Sequence, residues 1–192
     1  ARYADEYLPQ YGRHQAHNAA LAIAAVESFL GGGTRPIAGD ILSEGLATAT
    51  SPGRLQLVGI APTVIVDAAH NPHGAHALAA ALGEFFDFDE WALVLGVFDD
   101  KNAAGIVDAL APVVSRVFTT EPASPRASDA EALADLVEAH GLAVSAHPAP
   151  DEAMELARRW AAEGERRAVV IAGSIVLAGE AITIAESEGW KA

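Results

Sequence analysis

The segment Asp67–Pro72 brings a carboxylate, an imidazole and an amide close together, on Asp67, His70 and Asn71. It follows the apolar run Val64–Val66 and precedes an alanine-rich helical pattern, which predicts that it lies at the carboxyl end of a buried strand. In open α/β sheets, ligands bind at that edge. A carboxylate there could accept hydrogen bonds from hydroxyls such as those of a ribose, and the N-terminus of the next helix favours anions. Helix capping by Asp67 or Asn71 is an equally good interpretation of the segment taken alone.

The histidines at positions 70, 73 and 76 have a spacing that suggests a metal site. Pro72 suits the first position of the helix, which leaves His70 outside it. His73 and His76 could share a helical face, but no H-E-x-x-H sequence accompanies them. We therefore expect no metal site in this chain and interpret His73 and His76 as solvated side chains of a helix.

Several sequences that would identify other kinds of site are absent. There is no G-x-x-x-x-G-K-[ST] sequence and hence no P-loop of that type, so Gly31–Gly33 is interpreted as a linker. Neither G-x-G-x-x-G after the first strand nor G-x-S-x-G is present, and there is no cysteine. These absences argue against a dinucleotide fingerprint and against the usual serine and cysteine nucleophiles.

The composition indicates a globular domain that binds neither nucleic acid nor anionic membranes. Of 192 residues, 51% are apolar and 20% are charged, which argues against disorder. The formal net charge is −14, and the 12 Lys and Arg residues form no basic run. No apolar stretch reaches the roughly 20 residues that span a bilayer. The absence of cysteine fits a cytoplasmic protein, and because the chain begins with Ala we expect a fragment of a longer protein.

Helical patterns dominate the start of the chain. A first helix is predicted over His14–Leu30, ended by the glycines that follow it. A second, over Pro36–Ala47, has Asp40 as its expected N-cap. The turn Thr50–Gly53 then marks a change of pattern, and we place a domain boundary there. The predicted domains are residues 1–50 and 51–192.

Beyond the turn, short apolar runs alternate with helical patterns, which predicts βαβ units and an α/β fold with a mostly parallel sheet of about six strands. The runs are continuously apolar, as expected for strands covered by helices on both faces. The first run contains Gln56 and is a candidate antiparallel or edge strand. The predicted strands are Leu55–Gly59, Thr63–Val66, Trp91–Val97, Arg116–Thr119, Leu142–Ser145 and Ala168–Ala172. The predicted helices are His73–Phe86, Ala103–Ala111, Asp129–His140, Asp151–Ala161 and Ile175–Ser187.

Several segments resemble motifs of the Mur-type amide ligases, in the order in which that superfamily has them. Gly12–Ala19 resembles the G-x-H-x-x-x-N-A segment near the end of their ATPase domain. Ser51–Arg54 and Asp67–Pro72 resemble the P-G-R and D-x-A-H-N-P pair that opens their C-terminal domain. Gly173–Glu180 is similar to the G-S-x-x-x-x-G-E stretch of one branch, folylpolyglutamate synthase/dihydrofolate synthase. The resemblance covers residues from about 11 to 180, and D-x-A-H-N-P is its most specific motif.

Asp100 and Lys101 add a partial match to the same branch, which has D-K-D after the corresponding strand. Asn102 stands where that branch has the second aspartate of D-K-D, so the role of the second aspartate is not carried over.

The resemblance implies a Rossmann-like second domain preceded by the helical tail of an ATPase domain. It also implies four ATP-binding residues. Gln15 and Asn18 are amides that suit a purine edge, Arg54 would reach the nucleotide phosphates, and Asp67 would bind the ribose. The alternatives are a polar helix face for the two amides and a surface position after a turn for Arg54.

His70 and Ser174 match catalytic positions near the incoming glutamate and the reacting phosphate, and Asn71 is an adjacent candidate for substrate binding. Ser174 is also a candidate N-cap of the last helix. Arg126 follows a predicted strand and is a candidate partner for a substrate carboxylate. A loop arginine without such a role is the alternative.

The activity that the resemblance implies is ATP-dependent amide formation. ATP would phosphorylate a carboxylate of folate or dihydropteroate, and the amine of L-glutamate would then displace phosphate from the acyl phosphate. The implied cofactors are ATP and Mg²⁺, with the P-loop and the Mg²⁺ ligands in an N-terminal ATPase domain that would be this chain's partner. The chain alone is therefore expected to be inactive. A Mur-type ligase of cell-wall peptides and a non-catalytic α/β binding module remain open alternatives.

Overall fold

Two units make up the chain, residues 1–52 and the residues from Gly53 onward. The computed structural model describes residues 1–190, except for the side chain of His14. The first unit contains the helices α1 (Arg13–Gly31) and α2 (Gly39–Ala47).

The ends of these helices follow from local chemistry. Gly32 ends α1 in the left-handed conformation, with φ of 59°, and its N–H donates to the carbonyl of Glu27. α2 begins at Gly39 with Ala38 as its N-cap, so the prediction that Asp40 is the N-cap is wrong. Asp40 lies in the first turn instead, where the positive end of the helix dipole stabilises a carboxylate.

In the second unit, a hairpin is followed by alternating helices and strands. The strands are β1 (Gln56–Ile60), β2 (Thr63–Val66), β3 (Glu90–Leu95), β4 (Arg116–Thr119), β5 (Ala143–Ala146) and β6 (Arg167–Ala172). The helices are α3 (Pro72–Phe85), α4 (Ala103–Leu110), α5 (Ala130–Glu138), α6 (Pro150–Ala162) and α7 (Ile175–Ser187).

The strands form one 6-stranded sheet in the order β1-β2-β6-β3-β4-β5. β1 pairs antiparallel with β2, and the other pairs are parallel, which confirms the predicted fold class. The carboxyl ends of β2, β6, β3 and β4 therefore meet at one edge of the sheet. Because β1 runs in the opposite direction, its first residues lie at that edge too.

Helices cover both faces of this sheet, as predicted. On one face α3, α4 and α5 pack on strand residues such as Ile65 and Leu93. On the other face α6 and α7 pack on their chain neighbours Val66 and Val94. Successive side chains of a strand point to opposite faces, so strands buried on both sides are continuously apolar. Among the described helices, none has the length and apolar character needed to cross a membrane.

Candidate functional site

A pocket of about 180 Å³ lies at the carboxyl edge of the sheet, where four adjacent strands end. Its walls come from the segments that follow β2, β6, β3 and β4. Pockets for whole small molecules measure roughly 300–1,000 Å³, so this volume suits one part of a ligand or half of a larger site. The lining residues are His70, Phe98, Lys101, Arg126, Gly173, Ser174 and Ile175.

The imidazole of His70 is held by its own backbone segment after β2. Its Nδ1 lies 3.0 Å from the carbonyl oxygen of Ala68, a contact that is satisfied when the proton is on Nδ1. In that tautomer Nε2 carries a lone pair that can accept a hydrogen bond or a proton. The half-buried ring of His70 therefore offers an acceptor to a ligand in the pocket.

Ser174 is the N-cap of α7 and also lines the pocket. Its Oγ accepts the N–H of Leu177 at 2.9 Å, and the residue is 2% exposed. The hydroxyl proton can still be donated to another group. The preceding Gly173 permits a close chain approach, because a Cβ there would lie 2.5 Å from the carbonyl oxygen of Gly96. Its φ of 113° also lies in the region that favours glycine.

Lys101 and Arg126 bring positive charge to this pocket in a chain whose net charge is −14. Both cations contact the carboxylate of Asp100. The Nζ of Lys101 lies 3.0 Å from Oδ2, and a guanidinium nitrogen of Arg126 donates to Oδ1. Hydrogen bonds from Lys101, and then from Arg126, lower the pKa of Asp100 to about 2. Asp100 is therefore ionised at neutral pH, while the described lining of the pocket itself includes no carboxylate.

The loop that carries Arg126 is attached to α7 through Glu180. The Oε1 of Glu180 accepts the N–H of Ala123 at 3.0 Å, and the N–H of Arg126 donates to the Oγ of Ser124 at 3.2 Å. The guanidinium of Arg126 lies 4.9 Å from the centre of the Phe98 ring, a cation–π distance. Both the backbone and the side chain of Arg126 are thus held in place.

Asp67 lies at the same edge but outside the pocket lining, and it is 5% exposed. Its Oδ2 accepts the N–H of Leu55 at 3.0 Å, and its Oδ1 accepts the N–H of Ala69 at 2.8 Å. Leu55 has φ of 43°, a left-handed conformation that costs energy for a leucine. Asp67 therefore stabilises the turn that presents the exposed side chain of Arg54.

Asn71 is the N-cap of α3, because its Oδ1 accepts the N–H of Gly74 at 2.8 Å. Pro72 occupies the start of that helix, as predicted. His73 and His76 are exposed on α3. In the described part of the chain, no group of three or more His, Cys, Asp or Glu residues could hold a metal ion. A substrate contact by Asn71 stays a prediction.

In the first unit, Gln15 and Asn18 lie together in a groove of about 540 Å³. The Nδ2 of Asn18 donates to the Oε1 of Gln15 at 3.0 Å, and Gln15 is buried while Asn18 is exposed. Aliphatic side chains such as Ile23 and Leu42 form much of the remaining lining. An apolar groove with amide groups in its wall has the chemistry to hold a purine base.

The pocket in the second unit brings together His70, Arg126 and Ser174, which are far apart in the chain. Their individual roles stay predictions. Phe98 was not predicted from the sequence and Lys101 had no predicted role, although both are pocket residues. The available signal was their position just after the apolar run of β3, at the edge where ligands bind in such sheets.

Comparisons with known proteins show which family the chain belongs to. A family model described as "Mur ligase, glutamate ligase domain" matches residues 53–175. The chain is 46% identical, over 196 aligned residues, to a Mycobacterium tuberculosis protein named dihydrofolate synthase/folylpolyglutamate synthase. That match covers 95% of this chain, which spans 40% of the length of the relative.

Solved structures resemble the chain as well. The structure of Mycobacterium tuberculosis folylpolyglutamate synthase complexed with ADP and AMPPCP matches with a TM-score of 0.89 and 46% identity, over 95% of this chain and 42% of that one. Escherichia coli FolC in complex with DHPP and ADP matches with a TM-score of 0.84 and 25% identity, over 97% of this chain and 42% of that one. Because the family model covers more than half of its residues, the chain belongs to the family of the Mur ligase glutamate ligase domain.

Proposed function

We propose that the chain is the C-terminal part of an ATP-dependent ligase that adds L-glutamate to folate or dihydropteroate through an acyl phosphate. The observation that carries the proposal is the pocket at the sheet edge, where two cations meet a histidine and a serine with no carboxylate in the described lining. Such a pocket favours an anionic ligand. The names of the Mycobacterium tuberculosis relative and of the ADP-bound structures support the same reaction.

In the proposed reaction, an oxygen of the acceptor carboxylate attacks the γ-phosphorus of ATP, ADP leaves and an acyl phosphate forms. The amine of L-glutamate then attacks the acyl carbon, a C–N bond forms, and phosphate leaves as the amine loses a proton. The Nε2 of His70 is the candidate acceptor for that proton, and the hydroxyl of Ser174 is a candidate donor to the phosphate. Arg126 would bind a carboxylate of the glutamate. Catalysis is then mainly positioning and charge stabilisation.

ATP supplies the phosphoryl group in this scheme, and this chain would hold parts of the nucleotide. Gln15 and Asn18 would contact the base, and Arg54 would bind phosphate oxygens with its planar guanidinium. Asp67 would support the turn that carries Arg54, and it is the candidate contact to the ribose. Mg²⁺ would be held mainly by an N-terminal ATPase domain, which would close with this part over the substrates and exclude water. Because the reaction consumes ATP, we place it in the cytoplasm.

Two alternative functions would use the pocket differently. A Mur-type ligase of cell-wall peptides would use the same sheet edge on a different acceptor. The G-S-x-x-x-x-G-E sequence of Gly173–Glu180 and the names of the relatives favour the folate branch. A non-catalytic binding module would not need Arg54 and Asp67, both of which are present. Asp67 accepts the N–H of Leu55, the residue after Arg54.

An assay of the full-length protein with a panel of acceptors tests the proposal. We expect ADP and an amide product of equal amount when ATP, Mg²⁺, L-glutamate and either dihydropteroate or a folate are all present. Omission of L-glutamate should abolish product formation. Product formed only with a cell-wall peptide precursor would favour the first alternative, and ATP binding without any ligated product would favour the second.

A further inference from the structure

The pocket at the sheet edge holds more positive than negative charge. Lys101 and Arg126 line it, and each contacts a different oxygen of the Asp100 carboxylate. These side chains are partly exposed, with Lys101 at 32%, Arg126 at 57% and Asp100 at 48%. Two cations and one carboxylate give this trio a net charge of +1 in a chain whose net charge is −14.

Backbone hydrogen bonds join the two loops that carry the trio. The N–H of Asp99 donates to the carbonyl of Arg126 at 2.9 Å, and the N–H of Ser128 donates to the carbonyl of Val97 at 2.9 Å. These bonds pair the loop after β3 with the loop after β4 without any side chain. A substitution at Asp100 should therefore leave the loops paired and change only how the two cations are held.

We infer that Asp100 is a positioning residue that holds Lys101 and Arg126 side by side, so that together they bind one carboxylate of the incoming amino acid. The inference rests on the proposed function, because it assigns a ligand group to the same pocket. A free lysine or arginine loses much rotamer entropy when it is fixed by a ligand. Asp100 fixes both side chains in advance, and such preorganisation strengthens binding. The ligand carboxylate then neutralises the remaining charge of the trio.

Two other roles of Asp100 would give different results. If Asp100 acted as a competing anion on the two cations, its removal would strengthen the binding of a substrate carboxylate. If it only stabilised the loops, its removal would lower the melting temperature and leave the KM for L-glutamate unchanged. The KM for L-glutamate should therefore rise if Asp100 positions the cations, fall if it competes with the substrate, and stay unchanged if it only stabilises the loops.

The test uses Asp100→Asn in the full-length enzyme, because asparagine keeps the shape of the side chain and removes its charge. We expect the KM for L-glutamate to rise about three- to tenfold, the size expected for the loss of exposed ion pairs. The kcat and the KM for ATP should stay unchanged, because the lost interaction affects glutamate binding alone. Asp100→Glu keeps the charge and should recover a large part of the loss.

Asp87→Asn is the matched control. Asp87 is also an exposed aspartate paired with an arginine, Arg166, but it precedes β3 and so lies at the opposite edge of the sheet. A KM for L-glutamate that is unchanged or lowered in Asp100→Asn, or raised equally in the control, overturns the inference and leaves the proposed function intact. If the wild-type enzyme forms no glutamate-dependent product, both the inference and the proposed function are contradicted.

Discussion

At the scale of single residues, Asp67 holds the residue before β1 beside the end of β2. The sequence left helix capping open to Asp67 or Asn71, and Asn71 is the residue that caps the helix. The carboxylate of Asp67 accepts two backbone N–H groups, from Leu55 and Ala69, and its contact with a ribose stays a prediction. The pairing of β1 with β2 explains the contact with Leu55. Gln56 pairs with Val66, and this brings Leu55 beside Asp67.

Asp67→Asn should lower the free energy of unfolding of the second unit by about 2 kcal/mol, because an NH2 group replaces one of the two acceptor oxygens and leaves a buried N–H without its partner. Urea unfolding followed by tryptophan fluorescence measures this. All tryptophans of the chain, at positions 91, 160 and 190, lie in the second unit. Asp135→Asn on the exposed side of α5 is the control, with an expected change below about 0.5 kcal/mol. Equal effects of the two substitutions would contradict the role given to Asp67.

At the scale of elements, α7 places a capping residue in the pocket. Ser174→Ala should lower the free energy of unfolding by about 1 kcal/mol through loss of the cap, and in the full-length enzyme it should also lower kcat/KM for L-glutamate. Asp129→Ala is a control that removes the equivalent cap of α5, where Oδ1 accepts the N–H of Ala132. The control should lose stability without a change in glutamate kinetics. Kinetic losses of the same size in both variants would show that Ser174 only caps α7.

His140 connects the end of α5 to α4, and this contact should depend on pH. A hydrogen bond to the carbonyl of Leu136, and then one to Asp108, raise the pKa of His140. Because the pKa is higher in the folded state, the contact adds its full stability below about pH 6.5 and loses it as pH rises through the folded pKa. Asp108→Asn should therefore destabilise more at about pH 5.5 than at about pH 8.5 in urea unfolding. Equal destabilisation at both pH values would contradict this.

The sequence predicted elements better than it predicted where they end. β2 and β4 have the predicted bounds, but β3 was expected to reach Val97 and ends at Leu95. Beyond Leu95 the chain pairs with another loop, through the N–H of Ser128 and the carbonyl of Val97. An apolar run indicates burial and does not reveal which backbone is the hydrogen-bond partner.

The same limit applies to the pocket. His70 and Ser174 could be placed at the carboxyl edge of the sheet from the sequence. His70 lies shortly after the apolar run of β2, and Ser174 lies between the run of β6 and the helix α7. The approach of Phe98 and Lys101 to Arg126 depends on two loops that are distant in the chain. No local pattern encodes that pairing, so the arrangement of the cations could be found only in three dimensions.

At the scale of the whole molecule, the chain corresponds to part of its longer relatives. It spans 40% of the length of its Mycobacterium tuberculosis relative and contains no P-loop sequence. We therefore expect that residues 1–192 alone do not form ADP from ATP in a glutamate-dependent manner, because they contain no P-loop to hold the reacting phosphate. A coupled assay for ADP, with and without L-glutamate, measures this. Robust glutamate-dependent turnover by these residues alone would contradict the account.

We propose that this chain contributes two separable contacts to one ligase, through Arg54 to the nucleotide and through Arg126 to the amino acid. Steady-state kinetics of Arg54→Ala and Arg126→Ala in the full-length enzyme, with ATP and L-glutamate each varied, tests it most directly. We predict that Arg54→Ala raises the KM for ATP about tenfold or more and that Arg126→Ala does the same to the KM for L-glutamate, as expected for lost charge-assisted hydrogen bonds. Each variant should leave the other constant unchanged. The claim would be contradicted if both variants changed the same KM, or if neither variant changed the KM for ATP or the KM for L-glutamate.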